Sequence, residues 1–213
     1  MARHDNTIPK TKAAQAPDTR PTPLPQAWLD DIREAAAVIR RGGLVLMPTD
    51  TIWGIACDAT NEEAVRRVFA LKQREDGKAL ITLVDKAGLV SRFVERMPDV
   101  AWDLIELSDR PLTVVYDGAR GLAPSLVAED GSAAIRVTKE PFSRALCGRA
   151  ARPLVSTSAN ISGQPAPRRF ADIAQEVIDG VDYVCRSRRG EKQPARPSAI
   201  IRLGSGGEFK IIR

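Results

Sequence analysis

LVLMPTDTIWGIACDATNEEAVRRVFALKQREDGKALITL, residues 44–83, sets chemically pointed residues between apolar segments, and the reading of the fold starts from it. Leu44, Val45, Leu46 and Met47 form an unbroken apolar run after Gly42 and Gly43, the pattern of a strand buried on both faces. Pro48 ends it. Thr49-Asp50-Thr51-Ile52-Trp53-Gly54 then places two hydroxyls, a carboxylate and an indole on a loop at the strand's carboxyl end, where open α/β sheets hold ligands. Thr60-Asn61-Glu62-Glu63 is a capping-box pattern, and Ala64, Val65, Val68, Phe69 and Leu71 give the following helix one apolar face, ending near Lys72. Lys72 and Arg74 stand two apart, so an extended exit segment points both cations the same way, with Lys78 close by before Ala79-Leu80-Ile81. Cations facing a Thr/Asp loop suit a phosphate or carboxylate ligand. The alternative is a solvated helix end, where cations favour the macrodipole.

A second stretch repeats the arrangement. Pro153-Leu154-Val155 runs into Ser156-Thr157-Ser158-Ala159-Asn160-Ile161-Ser162-Gly163, a short apolar strand followed by hydroxyls, an amide and a turn signal. Two strands thus end in small polar clusters, and the expectation is that PTDT, KQR and STSAN line one cleft.

PTDTIWG at 48–54, KQR at 72–74 and STSANISG at 156–163, in this order and at these separations, resemble the YrdC/Sua5/YciO family of threonylcarbamoyl-AMP synthases. Arg110-Pro-Leu-Thr113 is similar to that family's GPLT segment, 134–137 to its VRxP and 197–200 to its PST(I/V)V, so the resemblance covers about 27–213. The chain departs from the family pattern at Trp53, usually Tyr, at Thr138, in place of proline, and at Ala199, in place of threonine. Lys78 also stands where many relatives have proline.

The resemblance implies a single-domain YrdC-like fold and a nucleotidyltransferase. Its reaction joins L-threonine, bicarbonate and ATP into threonylcarbamoyl-AMP with release of pyrophosphate, for the t6A modification of tRNA. It implies Lys72 and Arg74 as catalytic residues on the triphosphate, with Mg²⁺ sharing the charge, and Ser158, Asn160 and Ser198 as further ATP contacts. Thr51, Thr113 and Arg136 fall on the threonine side, where a guanidinium suits a carboxylate. Read without the family, Thr113 is equally a plain strand residue, and the alternative for Ser158 and Asn160 is to cap the turn after their strand. A downstream tRNA threonylcarbamoyl transferase is the implied partner.

Composition bounds the rest. The chain has 213 residues, enough for one domain with a full core, and is 43% hydrophobic. A net charge of +5 permits RNA contact without demanding it. Cys57, Cys147 and Cys185 are odd in number and far apart, so neither a disulfide framework nor a metal-binding CxxC pair is indicated, and no metal ligands are assigned. His4 is the only histidine and lies in the polar leader, which removes imidazole chemistry and His-ligated metals from the folded part. No bilayer-spanning stretch or secretory signal is present, so a cytoplasmic protein without a membrane partner is expected. Two rival readings remain: a double-stranded RNA or ribosome-binding module without catalysis, and ATP-dependent carbamoyl-adenylate chemistry on another acceptor.

Along the chain, 1–26 has the composition of a disordered basic leader. A helix is predicted from Trp28, with Gly42-Gly43 after its end, then helices at 89–94 and 100–107, a strand at 112–116, a Gly-rich link at 118–124 and a strand at 133–137. Helices at 142–150 and 170–178 and a strand at 183–185 follow, then a basic loop at 186–196. Gly204-Ser-Gly-Gly207 turns 200–203 into 209–212 as a hairpin. The prediction is a twisted mixed parallel and antiparallel α/β sheet with helices packed on it.

Overall fold

A computed structural model describes residues 23–74, 80–191, 197–204 and 206–212. The expected leader lies almost wholly outside these, as does Lys78. In chain order the elements are α1 (Gln26–Arg40), β1 (Val45–Met47), β2 (Gly54–Ala56), α2 (Glu62–Leu71), β3 (Ile81–Val84), α3 (Asp99–Leu107), β4 (Leu112–Tyr116), β5 (Ala133–Val137), α4 (Pro141–Ala150), β6 (Leu154–Ser158), α5 (Gln175–Asp179), β7 (Tyr183–Val184), β8 (Ala199–Leu203) and β9 (Phe209–Ile211). Among the described residues nine strands form one sheet in the order β7-β1-β2-β6-β3-β5-β4-β8-β9. It is mixed, as predicted: β1/β7, β3/β5 and β4/β8 are parallel and the remaining pairs antiparallel.

Successive strand residues point to opposite faces, so β3 sends Leu83 to one apolar cluster and Val84 to another. The larger cluster lies under α1, α2 and α4, where Ile32, Ala35, Ala36 and Ile39 form the inner stripe of α1 and Trp28 meets Phe142 edge-on at 5.8 Å. The smaller cluster lies under α3, between Ala101, Val114, Ile135 and Ile201. Arg136 pairs with Leu83 and therefore faces the larger cluster, a polar side chain on an apolar face. That placement matters for the site.

Several local expectations change. Residues 87–92 form a 3-10 helix rather than an α-helix, and 170–178 divides into a 3-10 turn, Phe170–Asp172, and α5. The apolar spacing of Phe170, Ile173 and Val177 suits one helix or two. The Phe170 ring, in the 3-10 turn, lies 4.9 Å from Trp53 at an interplanar angle of 59°. The α2 cap is Asn61, whose Oδ1 accepts from the Ala64 amide at 3.1 Å, while Glu62 accepts from the Ser125 hydroxyl at 2.6 Å. The exit from α2 is not extended: Gln73 has φ 49°, so Lys72 and Arg74 leave a tight turn. β2 has no counterpart among the predicted strands.

Asp31, buried on α1, fastens the far end of the sheet. Its carboxylate accepts from the Tyr183 hydroxyl at 2.6 Å and from the Arg186 and Ser187 amides at 2.9 and 2.7 Å. Burial alone would raise its pKa, but these hydrogen bonds outweigh it and hold the carboxyl below the ordinary 3.8. Asp31→Asn is expected to cost about 2 kcal/mol, the scale of a lost charged hydrogen bond, measured by urea unfolding. Because the folded pKa is lowered, this stabilisation is present above the unfolded value and fades as pH falls through the folded one. The gap between wild type and variant should therefore close in acid. A gap that stays constant down to acid unfolding would show that the charge contributes nothing.

Candidate functional site

The loop after β1 folds back over the sheet face that carries Arg136. Arg136 Nη2 lies 3.1 Å from Asp50 Oδ1; Arg136 is buried and the Asp50 side chain is 11% exposed. Burial raises the Asp50 pKa; Arg136 opposes this and Glu140 adds to it. The contact lies outside hydrogen-bond geometry, so Asp50 Oδ1 is a buried acceptor without a hydrogen bond. Thr49 Oγ1 and Thr51 Oγ1 lie 3.1 Å apart, and the Thr49 hydroxyl also donates to the Ile52 carbonyl at 2.7 Å. The Thr49 hydroxyl thus ties the loop to its own backbone, and the Thr51 hydroxyl meets Thr49.

A cavity of about 410 Å³ opens beside it. Pro48 to Trp53 form one wall, the α3–β4 junction with Arg110 a second, and Lys139, Glu140, Arg168, Arg188 and Glu191 close the rest. Trp53 is its buried aromatic surface, backed by Phe170, over which the Arg189 guanidinium lies at 4.5 Å. Glu140 caps α4, accepting from the Phe142 and Ser143 amides at 2.9 and 2.7 Å, and its Oε1 also takes Arg188 Nη1 at 2.8 Å. Thr138, which stands where the family has proline, is hydrogen-bonded hydroxyl to hydroxyl with Ser143 at 2.8 Å and so extends this network. Lys139 donates to the Glu106 and Ser108 carbonyls, both at 2.9 Å, where α3 ends.

The KQR and STSAN motifs meet in a second cluster. The Lys72 ammonium is buried and donates to the Ser158 and Asn160 carbonyls, each at 2.6 Å. Burial, and then the nearby Arg74, bring its pKa down to about 8. Arg74 is half-buried, and burial lowers its pKa too. Asn160 Nδ2 donates to the Ile161 and Gln164 carbonyls at 3.0 and 2.6 Å, closing the turn after β6. Gly54 pairs with Ser158, and the Ala159 amide donates to the Trp53 carbonyl at 3.0 Å, so this cluster abuts the loop that walls the cavity. A Cβ on Gly54 would sit 3.0 Å from the Thr157 carbonyl, so glycine allows the two motifs to approach.

Of the residues expected at the site, Thr51 lines the cavity directly. Arg136 stands behind it through Asp50. Thr113 and Ser198 are buried and joined hydroxyl to hydroxyl at 3.0 Å, so the division of one to threonine and the other to ATP is not a division in space. Lys72, Arg74, Ser158 and Asn160 belong to the adjoining cluster and do not line this cavity. Asp50, Glu140, Arg188 and Glu191 had no assigned role in the sequence. Asp50 lay inside a quoted motif and Arg188 inside the basic loop, but nothing local distinguished either from its neighbours.

An α/β sheet with a charged, aromatic-walled cavity beside a buried lysine–carbonyl knot defines a domain for a small polar substrate. The chain belongs to the Sua5/YciO/YrdC family, whose model, described as telomere recombination, matches residues 37–213. It is 32% identical to a threonylcarbamoyl-AMP synthase of Pseudoalteromonas translucida, over 84% of this chain and 96% of that one. It is 35% identical to a threonylcarbamoyl-AMP synthase of Pseudomonas aeruginosa, over 81% and 92%. The crystal structure of P. abyssi Sua5 complexed with L-threonine superposes with a TM-score of 0.77 at 26% identity, over 88% of this chain and 54% of that one. The chain thus spans about half of that structure. Among the described residues no helix is long and apolar enough to cross a membrane, and Cys57, Cys147 and Cys185 are buried free thiols.

Proposed function

We propose that this chain is a threonylcarbamoyl-AMP synthase, a nucleotidyltransferase that makes threonylcarbamoyl-AMP and pyrophosphate from L-threonine, bicarbonate and ATP for t6A formation in tRNA. The observation that carries the reading is the PTDTIW loop, which walls a substrate-sized cavity on one side and is stitched to the Lys72–STSAN knot on the other. The threonine nitrogen attacks carbon dioxide derived from bicarbonate, forming the N–C bond and losing a proton. A carbamate oxygen then attacks the α-phosphorus, the bond to the bridging oxygen breaks, and pyrophosphate leaves. Such a displacement needs positioning and charge neutralisation more than covalent help from the protein.

In this scheme threonine enters the cavity against Thr51, with Arg136 holding Asp50 in place from behind. The triphosphate lies toward Arg74, and Lys72 keeps the Ser158–Asn160 turn in the shape that receives the nucleotide. Thr113 and Ser198 act together as one hydroxyl pair. Among the described residues no three His, Cys, Asp or Glu side chains stand where they could hold a metal ion. Mg²⁺ would arrive with ATP, supplying charge neutralisation on the phosphates. The product would pass to a tRNA threonylcarbamoyl transferase.

Pyrophosphate release is expected only when ATP, L-threonine and bicarbonate are all present, followed with a coupled pyrophosphate assay. Release that proceeds equally without threonine would assign the pocket to another acceptor, and RNA binding without any turnover would replace the enzyme reading.

A further inference from the structure

We infer that the outward edge of the Arg188 guanidinium is the docking point for the substrate amino acid's carboxylate, and that Glu191 occupies this point until the substrate displaces it. The inference rests on the synthase reading above and adds a specificity residue that the family motifs do not contain.

Arg188 presents two edges. Its Nη1 is committed inward, 2.8 Å from Glu140 Oε1 and donating to the Thr49 carbonyl at 3.3 Å. Its Nε and Nη2 face Glu191 and donate to Oε1 and Oε2 at 2.6 and 2.7 Å, a two-pronged grip on a planar carboxylate. The two partners are unequally held. The Arg188 side chain is 18% exposed, whereas that of Glu191 is 49% exposed and three residues away on the same loop. Glu191, half exposed and on the same loop, can turn into solvent and leave the fork to another carboxylate. The grip already has carboxylate geometry, and both residues line the cavity.

The guanidinium is also fixed before any ligand arrives. Asp31 pins the Arg186 and Ser187 amides, Arg188 itself takes φ 62°, and Arg189 donates to the Cys185 and Val184 carbonyls at 2.7 and 2.9 Å. These contacts hold the loop on both sides of Arg188, so little ordering is left to be done on binding.

Charge decides which substrate group docks. Asp50 and Glu140 both act electrostatically on this guanidinium from the cavity wall. Arg110, Lys139 and Arg168 line the same cavity, so its wall carries both signs and suits a zwitterion, whose ammonium can face Asp50 and Glu140 while its carboxylate takes the fork. Arg136, the guanidinium first associated with the carboxylate, is buried and faces Asp50.

The test compares Glu191→Gln, Arg188→Lys and wild type by steady-state kinetics, with KM for threonine and for ATP determined separately, and by threonine calorimetry without ATP. Glu191→Gln should tighten threonine binding by about threefold to tenfold, because the competing internal carboxylate is gone. Arg188→Lys keeps the charge but loses the fork, and should raise KM for threonine about tenfold or more with KM for ATP nearly unchanged. A rise confined to the ATP KM would show that the fork holds phosphate and overturn the assignment. Unaltered threonine binding in both variants would reduce Arg188 to a loop fastener and overturn it as well. Calorimetry reads the fork even if no pyrophosphate is formed, so failure of the synthase reading and failure of this inference remain distinct.

Discussion

Arg74→Ala is expected to slow pyrophosphate formation by about a hundredfold or more, the scale for losing one preorganised charge donor at a developing anion. Arg74 follows the left-handed Gln73, and its amide donates to the Phe69 carbonyl at 3.0 Å. It stands close enough to Lys72 for the two cations to disfavour one another. Two like charges held together at the end of a helix are unfavourable in the empty protein, and an arriving triphosphate relieves that repulsion. The gain grows as negative charge moves onto the leaving pyrophosphate, so the loss in Arg74→Ala should fall on turnover rather than on threonine affinity. Arg74→Lys should recover only part of the rate, since an ammonium keeps the charge but not the planar fork. Pyrophosphate release and threonine calorimetry on the same purified variant check both statements. Wild-type turnover at unchanged thermal stability would remove Arg74 from the site.

Lys72→Met should be the most destabilising substitution in the site, at about 3 kcal/mol, because it leaves the Ser158 and Asn160 carbonyls buried without their donor. Methionine fills nearly the same volume, so the loss reports hydrogen bonding rather than a cavity. For a domain of this size it corresponds to a fall in Tm of roughly 6–12 °C. The pH dependence provides a second check. The folded pKa of about 8 lies below the ordinary 10.5, so between these values the unfolded chain binds more protons than the folded one. Wild-type stability should accordingly rise across this interval relative to Lys72→Met, which has no such group. The neutral amine keeps two N–H donors for the two carbonyls, so the contact survives deprotonation. Turnover should also fall, because the turn after β6 loses its fastening. A Lys72→Met protein as stable and active as wild type would show that the ammonium merely fills space.

Glu62 illustrates how far local chemistry reaches. The sequence around it announces a helix start, and one follows, but the cap is Asn61 rather than Thr60, so the Thr60–Glu63 box does not form, and Glu62 bonds Ser125 in a distant loop. The same holds at 170–178, where an amphipathic spacing is satisfied by two short elements, the first of which sets Phe170 against Trp53. The exit of α2 is the sharpest case. A residue spacing of two implies a common direction only for an extended chain, and Gln73 at φ 49° removes that premise.

What the sequence determined by itself was the sheet-and-helix plan, the terminal hairpin, the family, and three motifs whose hydroxyls and cations suit a phosphorylated substrate. Those features depend on apolar period, turn residues and short ordered motifs, all written within a few positions of one another. Only the tertiary structure decided that Asp50 meets Arg136, that Lys72 spends its ammonium on the Ser158 and Asn160 carbonyls, and that Thr113 bonds Ser198. It also decided that Arg188, one of several arginines in a basic loop, turns into the cavity and grips a carboxylate. The physical reason is that each of these pairs is made by strand register and loop direction across long separations. A side chain's local sequence sets its chemistry, and the sheet sets which other side chain it faces.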